Sequence, residues 1–203
     1  MSRIQIGLVD YGMGNHASVF NCLKSLEFRC KVSDDKTVLS KSDILLIPGV
    51  GAFPTAKSEL QKRGLIEYLQ HEAKIHKPII GICLGMQLMA EASFEFGYTS
   101  GLAIIPGEIV PIKEPRWHIG WNTLEIAQED PLFKESDGES FYFNHSFVYQ
   151  GPREYQIGLT DSMKSFPAII RRGKTVGLQF HPEKSQESGS KLMKRLIEGL
   201  CNA

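Results

Sequence analysis

Along the first hundred positions, short continuous runs of apolar residues alternate with stripes spaced as on one face of a helix. Ile4–Val9 reads as a buried strand. A glycine turn, Asp10-Tyr11-Gly12-Met13-Gly14, separates it from a helical pattern that puts Val19, Phe20, Leu23 and Leu26 on one side. Asp43–Ile47 is another buried strand, stopped by Pro48-Gly49, and a helix carrying Leu60, Ile66 and Leu69 is expected after it. A strand over Lys77–Ile82 and a helix over Leu84–Ala92 follow. Strands that are apolar at every position must be covered on both faces, which predicts a parallel sheet between layers of helices.

From about residue 103 the texture changes. Glu108–Ile112, Trp121–Ile126, Ser140–Phe143, Tyr155–Leu159, Ala168–Arg171 and Thr175–Phe180 are short β-like pieces divided by turn residues, the mark of antiparallel or mixed pairing. The chain closes on a helix with Leu192, Met193, Leu196, Ile197 and Leu200 in one stripe. The predicted class is α/β: a central, mostly parallel sheet flanked by helices, with mixed or antiparallel strands in the C-terminal half. No repeat, linker or low-complexity tract interrupts it, so residues 1–203 are expected to form one domain.

Composition narrows the function classes. Lys plus Arg and Asp plus Glu both number 23, giving a formal charge of zero, which argues against a nucleic-acid binder held by bulk phosphate attraction. The longest uncharged stretches, Ile44–Ala56 and Pro78–Ala90, contain Pro and Gly and fall short of the roughly 18 residues needed to span a bilayer. Asp10 interrupts the first apolar run and no cleavage-like site follows, so no signal peptide is expected. Cys22, Cys30, Cys83 and Cys201 form no C-x-x-C pair or metal-like spacing, and reduced thiols in a cytoplasmic protein are the expectation.

Two motifs compete for the chemistry. Gly12-Met13-Gly14-Asn15-His16-Ala17 fits G-x-G-x-x-G/A after a strand, with Asp34 twenty residues beyond Gly14, which is the pattern of a dinucleotide site. Against it, Asp10 would repel a bound phosphate, and the second half of the chain lacks further βαβ units. Gly81-Ile82-Cys83-Leu84-Gly85 is the cysteine form of G-x-S-x-G. There the nucleophile stands on a strained strand-to-helix turn, glycines at minus two and plus two let the chain approach, and a helix N-terminus favours the thiolate. The N–H of Leu84 is positioned to meet an oxyanion. A cysteine nucleophile needs a base and a group that orients it. His71 and His76 lie in a polar stretch, His16 in a first helical turn, and His118 and His145 in β-like segments. His181 follows a strand end in His181-Pro182-Glu183, where Glu183 can turn back to the imidazole and hold its tautomer. Pro48-Gly49-Val50-Gly51 is a loop able to aim backbone N–H groups at developing negative charge.

Taken together these segments resemble the triad (class I) glutamine amidotransferases. The likeness is carried by Asp10–Asn15, Pro48–Phe53, Gly81–Leu88, His118–Asn122, Phe141–Phe147 and Gly177–Ser185, in consistent order over nearly the whole chain. It is greatest toward the glutaminase subunits of histidine synthesis. The resemblance implies hydrolysis of glutamine to glutamate and ammonia. Cys83 would be the nucleophile, His181 the base and Glu183 the orienting acid, with Val50 and Leu84 giving backbone N–H groups to the oxyanion. It also implies that Gly49, Gly51, Gln87, Glu95, His145, Ser146 and Phe147 hold the glutamine, and that the Pro48–Gly51 strand reorients before the oxyanion hole is complete. The implied partner is a (β/α)8 cyclase subunit that receives ammonia in a heterodimer, met by Asn15, Trp121 and Lys184. No cofactor, metal, nucleic acid or membrane is implied. Gln87 and Glu95 also read, more simply, as solvated residues on a helix face.

The chain departs from the histidine-pathway pattern. It has His16-Ala17-Ser18 where Arg is usual, Asn144 for Val, Phe147 for Tyr and Trp117 for Pro. These departures lie toward the substrate and partner side and leave open a paralogous glutaminase subunit serving another acceptor, such as a surface-polysaccharide sugar. A dinucleotide-binding oxidoreductase and a stand-alone cysteine hydrolase are the readings from other classes.

Overall fold

The computed structural model describes residues 4–114, 116–160 and 165–202. The first half runs β1 (Gln5–Val9), α1 (His16–Ser25), β2 (Arg29–Ser33), α2 (Lys36–Ser40), β3 (Ile44–Ile47), α3 (Phe53–Lys62), α4 (Leu65–Lys74), β4 (Ile79–Ile82) and α5 (Leu84–Leu88). The second half is mostly strand: β5 (Ala92–Ser93), β6 (Thr99–Ser100), β7 (Glu108–Pro111), β8 (His118–Ile126), β9 (Ser140–His145), β10 (Phe147–Gln150), β11 (Gln156–Thr160), β12 (Pro167–Arg172) and β13 (Thr175–Leu178), closed by α6 (Gln186–Asn202).

The main sheet is ordered β2-β1-β3-β4-β13-β12-β11-β8-β9. From β2 to β13 neighbouring strands run parallel, and from β13 outward to β9 they run antiparallel. This is the mixed architecture that the change in sequence texture predicts. A smaller sheet, β10-β7-β5-β6, adds to it. The strand β13, late in sequence, lies against β4 with Leu178 level with Ile82.

The alternation within β3 shows why these strands are apolar throughout. Ile44 and Leu46 enter a core with Val19 and Leu23 of α1 and Leu192, Leu196 and Leu200 of α6, whereas Leu45 and Ile47 enter a second core with Leu60 of α3 and Leu65 and Leu69 of α4. Side chains two apart share a face, so each face of the strand has its own helical cover.

Two expected elements are corrected. The stripe Leu60–Leu69 is two helices, parted at Arg63-Gly64, where Gly64 takes φ +61°. The helix expected over Leu84–Ala92 stops at Leu88, and Ala92–Ser93 is strand. Its last carbonyls are taken from outside. Leu102 N donates to Leu88 O at 2.8 Å, Ile104 N to Met89 O at 2.9 Å and Ala103 N to Ala90 O at 2.9 Å. Bonds from a distant segment that no local periodicity encodes end this helix.

Leu46 is fully buried and Val32 is 41% exposed. Leu46→Ala should lower the unfolding free energy by about 3 kcal/mol in urea titration, and Val32→Ala by less than about 0.5 kcal/mol.

Candidate active site

The pairing of β4 with β13 builds a turn at their shared end. Cys83 follows β4, and its N–H donates to Leu178 O at 2.7 Å, one step beyond the strand ladder. Its backbone sits at φ +53°, ψ −109°, a region L-residues avoid. The flanking glycines are required by contact. A Cβ on Gly81 would lie 2.6 Å from Gly85 O, and one on Gly85 would lie 1.9 Å from Ile47 O. The thiol is buried at the start of α5, whose first turn has no side-chain cap.

His181 comes in from the neighbouring strand. Its N–H donates to Tyr142 O at 2.9 Å, and its carbonyl accepts from Ser185 Oγ at 2.7 Å. Nδ1 lies 2.8 Å from Glu183 Oε1, with both side chains buried. That contact assigns the Nδ1 proton to the side facing Glu183 and leaves Nε2 for Cys83, which lines the same hollow as His181. Burial alone would push the imidazole toward its neutral form. Hydrogen bonds and charge interactions with Cys83 and Glu183 outweigh burial and hold the His181 pKa up at about 9. The ring can therefore carry a proton on the Cys83 side, with Glu183 behind it.

A hollow of about 390 Å³ opens over the sulfur, with Val50, Gly51, Leu84, Gln87, Glu95 and Ser146 among its lining residues. A larger hollow, of about 660 Å³ between α4 and the 102–104 segment, touches none of the site residues. His145 and Phe147 also reach the smaller one. The Phe147 carbonyl accepts from His145 Nδ1 at 2.9 Å and from Gln87 Nε2 at 3.1 Å. His145 Nε2 must then accept, and His118 Nδ1 lies 3.1 Å from it; His118 Nε2 in turn faces Asn122 Nδ2 at 3.1 Å. Burial drives the pKa of His145 down to about 3 and lowers that of His118, so this chain stays neutral.

The other expected site residues fall into place unevenly. Gly49 is buried behind the lining. A Cβ there would meet Gly85 N at 2.6 Å and Tyr11 Oη at 2.9 Å, so no other residue fits. Gly51 takes φ +105° at the pocket lip. Gln87 is on α5 but buried, and Glu95 lies off the helices altogether, which corrects the reading of both as solvated helix residues. Glu95 Oε2 accepts from Phe53 N at 2.7 Å and so caps α3, whose own N-cap, Ala52, has no side chain able to do it. Lys184 lines the pocket and places Nζ 5.9 Å from the centroid of Tyr142, which packs edge-on against Trp121. Asn15 is elsewhere, at the start of α1, with its side chain accepting from Ser18 N at 3.2 Å. The Gly12–Ala17 turn is met by side chains from outside it: Asp10 Oδ1 accepts from Gly12 N, and the guanidinium of Arg63, at the end of α3, packs where a Cβ of Gly12 would be.

Three contributors escape the sequence reading. Tyr11 is fully buried and donates its hydroxyl to Pro48 O at 2.6 Å, bracing the loop before Val50. Asn144 brings its carbonyl to 3.9 Å from Cys83 Sγ. Gln179 is fully buried beside the thiol; its signal is a polar residue in an otherwise apolar strand end. Cys22, Cys30 and Cys201 are half-buried, and burial raises the pKa of each, to about 11 for the last two.

Comparison with known proteins gives the family. The family model described as glutamine amidotransferase class-I matches residues 7–198. The imidazole glycerol phosphate synthase subunit HisH of Listeria monocytogenes (serotype 4a, strain HCC23) is 42% identical over 197 residues, 95% of each chain. The protein of the same name from Streptococcus sanguinis is 40% identical over 195 residues, 94% of each. Among solved structures, PurLQS from Thermotoga maritima superposes with a TM-score of 0.78 over 98% of this chain and 100% of the other, at 17% identity. A glutamine amidotransferase from the same organism gives 0.72 over 100% of both chains, at 17% identity.

Two measurements test the site. If the backbone at position 83 is strained, Cys83→Gly should unfold at about 1 kcal/mol higher free energy than Cys83→Ala, despite glycine's greater chain entropy. The second concerns His181, whose folded-state pKa of about 9 lies above the ordinary histidine value near 6.5. The stability it contributes is then fully present below about pH 6.5 and lost as pH rises through 9. Glu183→Gln should flatten that decline in urea midpoints taken from pH 6 to 9.5.

Proposed function

The chain belongs to the class-I glutamine amidotransferase family, and we propose that within it this protein is the glutaminase subunit of imidazole glycerol phosphate synthase. The observation that carries the chemistry is the strained Cys83 lining one open hollow with His181, whose Nδ1 is held by the buried carboxylate of Glu183. In this reading residues 1–203 are one catalytic domain. His181 Nε2 takes the thiol proton and the sulfur attacks the carboxamide carbon of glutamine. Negative charge grows on the carbonyl oxygen, where the backbone N–H groups of Val50 and Leu84 receive it. The imidazolium returns its proton to the departing nitrogen, releasing ammonia and leaving a glutamyl thioester on Cys83. Water, deprotonated by the same imidazole, cleaves the thioester to glutamate and restores the thiol. Gly49, Gly51, Gln87, Glu95, His145, Ser146 and Phe147 shape and line the glutamine subsite.

Ammonia that escapes into neutral water is protonated and loses its nucleophilic lone pair, so a synthase partner must cap the hollow. We assign that role to a (β/α)8 cyclase subunit in a cytoplasmic heterodimer. An uncovered apolar strip supports it. Trp117, Ile119 and Trp121 are each more than half exposed along the start of β8, and Tyr142 links Trp121 to Lys184 at the pocket lip. A row of exposed aromatic and aliphatic side chains marks an interface more often than a free surface. Asn15, at the start of α1, is assigned to the partner contact as well.

Glutamate release should be measured for the isolated chain and for the chain with its cyclase and nucleotide substrate. Cys83→Ala should lower release by about a thousandfold or more while still binding the cyclase. Release at the wild-type rate would overturn the mechanism. Ile119→Asp should weaken association with the cyclase about tenfold or more by calorimetry, and unchanged affinity would move the interface elsewhere.

A further inference from the structure

We propose that Gln179 is a positioning residue for the nucleophile: it hands an amide N–H to Cys83 Sγ, in a direction set through Gln87 by the backbone carbonyl of Phe147. The inference rests on the reading of Cys83 as nucleophile and extends it to a side chain outside the triad.

The direction follows from donor and acceptor bookkeeping. Gln87 points one end of its amide at Phe147 O, 3.1 Å away, and at Gln179 Oε1, 3.2 Å away. A peptide carbonyl only accepts, so that end of Gln87 is the NH₂, and its two hydrogens are used by the two oxygens. Gln179 must then present its oxygen to Gln87. Its own NH₂ faces the other way, 3.8 Å from Cys83 Sγ. Reversing Gln87 would set its oxygen against Phe147 O, and reversing Gln179 would set its NH₂ against that of Gln87. Phe147 O is fixed from a second side by His145 Nδ1 at 2.9 Å, so both of its lone pairs are engaged and it cannot release Gln87 without cost.

Burial makes the arrangement consequential. Gln179 is fully buried and Gln87 nearly so, and buried amides of this kind are costly unless each polar atom is met. A methionine would fill similar volume in this largely apolar surrounding without that demand. The sulfur gains a donor that bonds its anion better than its protonated form, on a side distinct from the imidazole. The backbone N–H of Gln179 donates to Ala168 O at 2.9 Å, which anchors the residue just past the end of β13, two positions before His181.

The test is the rate of Cys83 alkylation by iodoacetamide against pH, followed by intact mass with Cys83→Ala as background for the three other cysteines. Gln179→Met should slow alkylation about tenfold at pH 7 while its rate converges on wild type above pH 10. Gln179→Glu, which sets a carboxylate by the sulfur, should slow it further at pH 7. Gln87→Met keeps Gln179 but releases its orientation, should give an intermediate slowing at pH 7, and decides the matter if the Gln179 variants do not fold. A profile that overlays wild type, or a drop of equal size at every pH, would reduce Gln179 to packing and overturn the proposal. Alkylation needs neither glutamine nor a partner. A wild-type chain that alkylates normally yet releases no glutamate even with the cyclase and its nucleotide substrate present would therefore sink the glutaminase reading and leave this one standing.

Discussion

The parallel contact between β4 and β13 is the constraint on which the pocket depends. It sets Ile82 level with Leu178, so that the residues just past the two strand ends, Cys83 on one side and Gln179 to His181 on the other, emerge together. Nearly a hundred positions of chain lie between them, and the antiparallel half of the sheet is the path by which the chain returns. A slip of one residue in that pairing would turn every side chain of β13 to the opposite face. Leu178 and Val176, both fully buried in the same core as Ile80 and Ile82, make such a slip costly. Catalytic geometry is thus held by hydrophobic registration rather than by the polar groups that use it.

Within that frame the hollow holds two buried imidazoles in opposite states. His181 keeps its proton to about pH 9 because it faces a thiol and a carboxylate, whereas His145 gives its proton up above about pH 3 because burial strips its cation of water and its hydrogen bond to a peptide carbonyl does not offset that loss. A buried cation is tolerable only where anionic partners surround it. Keeping His145 neutral also spares His181 the repulsion of a second cation nearby. The loop Pro48–Gly51 is tied into the same assembly from two sides, by Tyr11 on Pro48 and by Glu95 on the first residue of α3.

How much of this could be read in the sequence follows from the range of the forces involved. The elbow was legible because its glycines and its cysteine sit within five residues, and the steric demand is local. The His181–Glu183 pair was legible for the same reason, since a proline between them folds the acid back on the ring. The strand texture foretold the parallel and antiparallel halves, because covering on two faces leaves a compositional mark. What escaped rests on long-range bonds. The end of α5 is fixed by residues 102–104, Glu95 serves a helix forty residues upstream, and Gln179 looks like an ordinary strand residue until β4 brings Cys83 beside it. The stripe split at Gly64 escaped because two consecutive helices on one core face preserve the periodicity of a single one.

The carbonyl of Phe147 belongs to the main chain, and that has a consequence for divergence. Two amides and two imidazoles take their polarity from an atom no codon change at that position can delete. The aromatic ring there is consequently free to drift with whatever passes through the hollow, while the wiring beneath it is inherited by any descendant that keeps the first residue of β10 in place.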